Sequence, residues 1–137
     1  MNAELWIRLA WAVGIVIMGL ALYHLSNRIL LFRAANAGRS PASPAPTTSP
    51  SILYFTTPDC VPCKTVQRPA ILKVQQALGQ KVEVVEINAY EQPELARKWG
   101  VLSVPTTFIL DRSGKPQHIN HGVTQADKLL RQIQAVS

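Results

Sequence analysis

The sequence predicts a small α/β domain, built on a mixed four-stranded sheet with flanking helices, preceded by one transmembrane helix. Three observations carry that expectation. Leu9 to Leu25 contains no Lys, Arg, Asp or Glu, a run that reaches membrane-spanning length when extended outward to Trp6. Residues 51–137 alternate strand-like and helix-like patterns in the order β, α, β, α, β, β, α. The only two cysteines, Cys60 and Cys63, lie with two residues between them where the first strand pattern gives way to a helical one.

Trp6, Trp11 and Tyr23 lie towards the two ends of the apolar run, as interfacial aromatics do. Residues 1–33 therefore read as a membrane anchor. A cleavable signal peptide is the alternative, since Ala35-Asn36-Ala37 resembles a small-residue cleavage site, but the run is long and its start carries little positive charge. Only Arg8 precedes the span, opposed by Glu4, whereas Arg28, Arg33 and Arg39 follow it. Positive-inside counting thus expects the C-terminal domain on the cytoplasmic side, with an extracytoplasmic domain as the alternative.

Residues 34–50 read as a linker. Pro41, Pro44, Pro46 and Pro50 stand among Ser, Thr and Ala with few large apolar side chains to bury, so this stretch is expected to be a semi-extended tether. The formal net charge of +6 divides evenly between residues 1–50 and 51–137, and neither part shows the basic run with interleaved aromatics that single-stranded nucleic acid needs. The arginines after the span are expected to set topology and to meet anionic lipid head groups.

In the third part, residues 51–137, Ser51-Ile52-Leu53-Tyr54-Phe55 reads as a strand. A helix is expected from Cys60 to Leu78, with Val66, Ala70, Val74 and Leu78 on its apolar face, a kink at Pro69 and a stop at Gly79. Val82 to Ile87 is β-branched and reads as the second strand. Glu91 to Trp99 predicts a short helix with Pro93 in its first turn and Gly100 at its end. Thr106 to Leu110 is the third strand, Asp111 to Gly114 a turn, and Gln117 to Asn120 a weaker fourth strand. The last helix is expected to start at Thr124, whose hydroxyl would cap it, with Leu129, Leu130 and Ile133 facing the core. The first two strands, joined through a helix, should be parallel and the last two an antiparallel hairpin.

Cys60-Val61-Pro62-Cys63 places two thiols at a helix start, where free backbone N–H groups and the helix dipole favour a thiolate. Dithiol chemistry is the function this spacing points to.

Together with Lys98-Trp99-Gly100-Val101, Ser103-Val104-Pro105-Thr106 and Gly122 before the last helix, the motif resembles the thioredoxin superfamily, and the resemblance runs from Ser51 to Val136. It implies a minimal version of that fold, in which the tether replaces the N-terminal strand and helix of full-length thioredoxin. It also implies an attacking thiol at Cys60, a resolving thiol at Cys63, and a cis peptide bond before Pro105 facing the disulfide. Val61, Pro62, Val104 and Pro105 would then meet an extended substrate, and Trp99, most simply a helix-end packing residue, is a further substrate-contact candidate. The activity implied is reduction of disulfide-containing protein substrates, with Pro62 like the reducing branch of the superfamily. A separate thiol would act as electron donor, and no cofactor or metal beyond the redox-active disulfide would be needed.

Several positions depart from the family pattern. Val61 replaces the glycine common in thioredoxins, Asp59 the tryptophan before the first cysteine, Tyr54 the buried strand aspartate, and Glu86 the strand lysine. Asp59 is expected to cap the active-site helix, the alternative being that its negative charge raises the Cys60 pKa. Glu86, one strand over, is expected to replace the missing aspartate as proton acceptor for Cys63, the alternative being an ordinary surface ion pair. Pro69 follows Cys63 by six residues, one more than in typical thioredoxins, which predicts a helix irregularity or a slightly different groove. Two readings from other classes compete. One is a metal site joining the cysteines to His118 and His121, which lack the close pairing such sites show. The other is a membrane-anchored module that keeps the fold for binding or assembly without turnover.

Overall fold

The computed structural model describes residues 3–37 and 48–137, with the side chains of residues 33–37 outside the description. The chain divides into two units, residues 1–30 and 31–137, and each is described by itself. Most of the expected linker, residues 38–47, lies outside the described residues.

Helix α1 spans Ala3–Ala37. Within its stretch Ala3–Phe32 the most apolar 18-residue window has a mean hydropathy of 2.1, and the stretch is long and apolar enough to cross a membrane. The helix continues past the expected anchor end at residue 33, so residues 34–37 are helical rather than linker. Arg28 to Ala37 contains no Gly or Pro, and Leu, Arg and Ala are good helix formers, which accounts for the extension.

The second unit is the expected mixed sheet. Its strands are β1 (Ser51–Thr56), β2 (Glu83–Asn88), β3 (Thr106–Leu110) and β4 (Pro116–His121), in the order β2-β1-β3-β4. β1 pairs parallel with β2 and antiparallel with β3, and β3 pairs antiparallel with β4. The helices are α2 (Arg68–Leu78), α3 (Pro93–Lys98) and α4 (Ala126–Val136). β1 lies centrally with both faces covered, so all six of its residues are buried and it reads as a continuous apolar run.

Alternation along the strands divides the core in two. On one face Leu53, Phe55, Ile87, Phe108 and Leu110 pack with Leu95, Ala96 and Trp99 from α3 and its end. On the other Ile52, Tyr54, Val82 and Ile109 pack with Cys60, Cys63, Ile71 and Val74 and with Leu129 and Ile133 of α4. The cysteines thus belong to the face covered by α2 and α4.

Between the cysteines and α2 the chain makes a π turn, Cys63–Gln67, in which the Arg68 N–H reaches back five residues to the Cys63 carbonyl. Pro69, in the first turn of α2, has no N–H to give the carbonyl four residues before it, and the wider turn removes that conflict. The extra residue between Cys63 and Pro69 is therefore absorbed as a local widening of the helix. This shift corrects the expected apolar face. Val66 is 42% exposed, whereas Gln67 is fully buried.

The start of α4 also differs from expectation. The helix begins at Ala126 with Gln125 as its N-cap and no side-chain cap. Thr124 is held instead by Gln67: its N–H donates to Gln67 Oε1 at 2.7 Å and its carbonyl accepts from Nε2 at 3.2 Å. Gly79, at φ 56°, ends α2 as expected because only glycine adopts that backbone without strain.

Candidate functional site

The site grows from the end of β1. Thr57 accepts a hydrogen bond from the Cys60 N–H at 3.2 Å, which closes the turn out of the strand, and the Cys60 carbonyl accepts from the Lys64 N–H at 3.3 Å. Cys60 and Cys63 are joined as a disulfide with their Cα atoms 5.3 Å apart. The Cys63 N–H donates to Cys60 Sγ at 3.2 Å, so one unpaired donor of the helix start is aimed at that sulfur. The two cysteines are not equivalent: Cys60 is 8% exposed and Cys63 only 1%.

Val61 and Pro62 are exposed beside the disulfide, while Val104 is half-buried and Pro105 buried. The Val104–Pro105 peptide is cis, as the resemblance implied. Val104 packs against both core clusters, including the one that holds the cysteines. The Gly122 N–H donates to the Pro105 carbonyl at 2.8 Å, and Thr106 Oγ1 donates to the Ser103 carbonyl at 2.6 Å, so this segment is anchored on both sides of the proline. A groove of about 430 Å³ runs from Val104 through Val101, Leu102 and Ser103 to Ala89, Pro93, Ala96 and Arg97.

Trp99 is not with these residues. It is 1% exposed on the opposite face of the sheet, where its ring meets Phe108 at 5.0 Å and Phe55 at 6.4 Å. A side chain so placed presents no surface to a substrate, which corrects the substrate-contact expectation in favour of helix-end packing. Nor does Asp59 cap the helix: among the described residues its exposed carboxylate has no hydrogen bond to the turn that follows. His118 and His121 stand on β4, opposite Ile109 and Thr106, and among the described residues no three His, Cys, Asp or Glu gather in one place.

Tyr54 and Glu86 sit opposite each other in the β1–β2 register, on the cysteine face. The Tyr54 hydroxyl donates to the Cys63 carbonyl at 3.1 Å. Burial pushes the Tyr54 phenol above its ordinary value, an effect that a hydrogen bond with Thr56 opposes; the Glu86 carboxylate adds to the rise and the Arg68 guanidinium opposes it. Glu86 accepts from Arg68 at 2.5 Å, and both side chains are roughly half exposed. Sequence reasoning located Tyr54 but not its bond to Cys63, and it missed Gln67 altogether. The signal for Gln67 was the six-residue spacing from Cys63 to Pro69, which shifts the helix phase by one position.

Comparison with known proteins agrees with this geometry. The family model described as thioredoxin matches residues 45–135. The curated thioredoxin Y, chloroplastic, of Oryza sativa subsp. japonica is 31% identical over 86 residues, which are 63% of this chain and 50% of the relative. The chain thus spans about half the length of that protein. A thioredoxin-like protein of Synechocystis is 33% identical over 85 residues, covering 62% of this chain and 79% of its own. Among solved structures, thioredoxin-2 of the malaria parasite superposes with a TM-score of 0.59 at 23% identity, over 64% of this chain and 82% of that one, a likeness of fold.

Proposed function

Since the chain belongs to the thioredoxin family, we propose that it is a membrane-tethered thiol–disulfide oxidoreductase that reduces protein disulfides through Cys60 and Cys63. The observation that carries this reading is the asymmetry of the pair. Cys60 is the more exposed residue of the two, at 8% against 1%, and its sulfur accepts the Cys63 N–H. A donor aimed at Cys60 Sγ favours its thiolate over its thiol.

In the reduced protein the Cys60 thiolate attacks one sulfur of a substrate disulfide. The substrate S–S bond breaks, a Cys60–substrate mixed disulfide forms, and the other substrate sulfur leaves as a thiolate. Cys63 then loses its proton and attacks Cys60 Sγ, which restores the Cys60–Cys63 bond and expels the second substrate thiolate. Two electrons pass from the protein dithiol to the substrate, and a separate thiol donor returns them. Val61, Pro62, Val104 and Pro105 form the surface that meets the substrate next to the disulfide. Glu86, which β2 places on the cysteine face opposite Tyr54, is the proposed acceptor of the Cys63 proton.

Helix α1 supplies the tether in this reading. It confines the dithiol to the bilayer surface and raises its effective concentration toward substrates there. Arg28, Arg33 and Arg39 favour a cytoplasmic domain and contact with anionic lipid. A second reading, a binding module without turnover, stays open because Tyr54 stands where the family carries an acid.

Trapping separates the two. In membranes bearing the full chain, Cys63→Ser should accumulate mixed disulfides that dissolve on reduction, and Cys60→Ser should accumulate none. A chain that traps nothing in either variant, and whose Cys60→Ser form keeps its partners, is a binding module.

A further inference from the structure

Residue 63 carries two contacts that act on the site from opposite sides. Its N–H donates to Cys60 Sγ at 3.2 Å, and its carbonyl accepts from the Tyr54 hydroxyl at 3.1 Å and from the Arg68 N–H. The peptide planes that carry the two groups meet at the Cys63 Cα, so fixing the carbonyl plane restrains the plane that directs the N–H. That backbone belongs to a π turn, a single wide turn that interrupts the regular α-helical ladder. Tyr54 reaches it from the central strand of the sheet and is 1% exposed, so the donor is fixed from outside the turn.

We infer that Tyr54 is a positioning residue for the attacking thiol: its hydroxyl fixes the Cys63 backbone so that the Cys63 N–H stays directed at Cys60 Sγ. The inference rests on the reading of Cys60 as the attacking sulfur. An acid in this place would exchange protons as it ionised, whereas the buried phenol remains a neutral donor throughout the pH range in which thiols react.

Other charges around the sulfur are Asp59 beside Cys60, Lys64 after Cys63, and the Arg68–Glu86 pair on α2 and β2. On α4, Asp127, Lys128 and Arg131 are exposed, and on β4 His118 is half-buried. A substitution of Tyr54 leaves all of these in place. Thr107, opposite Tyr54 on β3, supplies a control: it is fully buried, and its Oγ1 has no hydrogen-bond partner among the described residues.

The test measures the rate of Cys60 alkylation by iodoacetamide against pH in the full chain held in nanodiscs. A Cys63→Ser background leaves Cys60 as the single thiol and keeps the backbone N–H. Tyr54→Phe should move the profile to higher pH and lower the rate below the midpoint roughly three- to tenfold, the size expected for one hydrogen bond. Thr107→Val, which alters the same row without touching Cys63, should leave the profile where it is. Tyr54→Met, similar in reach but without a hydroxyl, should repeat the shift and serves if the Phe variant does not fold. Unchanged profiles in the Tyr54 variants, or an equal shift in Thr107→Val, overturn the inference. An ordinary thiol profile for Cys60 before Tyr54 is altered overturns the attacking-thiol reading with it, so the two failures are distinguishable.

Discussion

Replacing Gln67 with Leu tests the π turn through its consequence for the core. Leu fills a similar volume but offers nothing to Thr124, which is 5% exposed and relies on Gln67 for both its N–H and its carbonyl. One buried donor and one buried acceptor then lose their partner at about 1–3 kcal/mol each, partly offset by burying an apolar side chain in place of an amide. The expected net cost is about 3 kcal/mol, which for a domain of this size lowers Tm by roughly 12–24 °C. Val66→Ala, at the neighbouring exposed position, should cost less than about 0.5 kcal/mol. Denaturant and thermal unfolding of the full chain, followed by circular dichroism, provide the assay. An uninterrupted α-helical phase would bury Val66 and expose Gln67, reversing the order of the two variants. That reversal, or a Gln67→Leu cost within about 0.5 kcal/mol of zero, would refute the reasoning.

Two further outcomes follow from the charged groups. Partial burial of Asp111 raises its pKa, but hydrogen bonds from the Ser113 hydroxyl and N–H, the Lys115 N–H and the Gln117 amide together outweigh this and hold the carboxyl below its ordinary value. A depressed folded value means that its stabilisation is present above the unfolded pKa and is lost as pH falls through the lower folded one. Asp111→Ala should therefore flatten the acid limb of the stability curve in that window, and an unaltered limb would contradict the hydrogen-bonded turn. For Glu86, substitution with Gln should change the pH dependence of disulfide reduction if the carboxylate accepts the Cys63 proton. It should change stability by less than about 1 kcal/mol, since the Arg68 pair is half exposed, and an identical pH profile removes Glu86 from the mechanism.

Much of the fold was legible because the strands carry their own signals. Ile52 to Phe55 and Thr106 to Leu110 are short runs, rich in β-branched and aromatic residues and bounded by turn residues, that fit strands covered on both faces, and the parallel and antiparallel pairings follow from their connections. Pairing decides the ends of the other strands. β4 extends to Pro116 and His121 because β3 offers partners, which the polar sequence there does not announce. The cysteine spacing likewise gave the dithiol and its helix start. What the sequence withheld concerns direction. One residue inserted before Pro69 turned Gln67 inward and Val66 outward, and Thr124, read as a cap, is engaged by a side chain 57 residues away. Trp99 and Glu86 illustrate the same limit: α3 packs on the sheet face opposite the cysteines, which separates Trp99 from the disulfide, while the β1–β2 register places Glu86 opposite Tyr54.

The equilibrium reduction potential of the Cys60–Cys63 pair tests the central claim most directly. The full chain in nanodiscs would be titrated against defined thiol buffers, with the fraction oxidised read by mass after thiol blocking. A reductase of the proposed kind should equilibrate near about −270 mV, whereas a value near about −120 to −180 mV, or a pair that does not cycle, would contradict it.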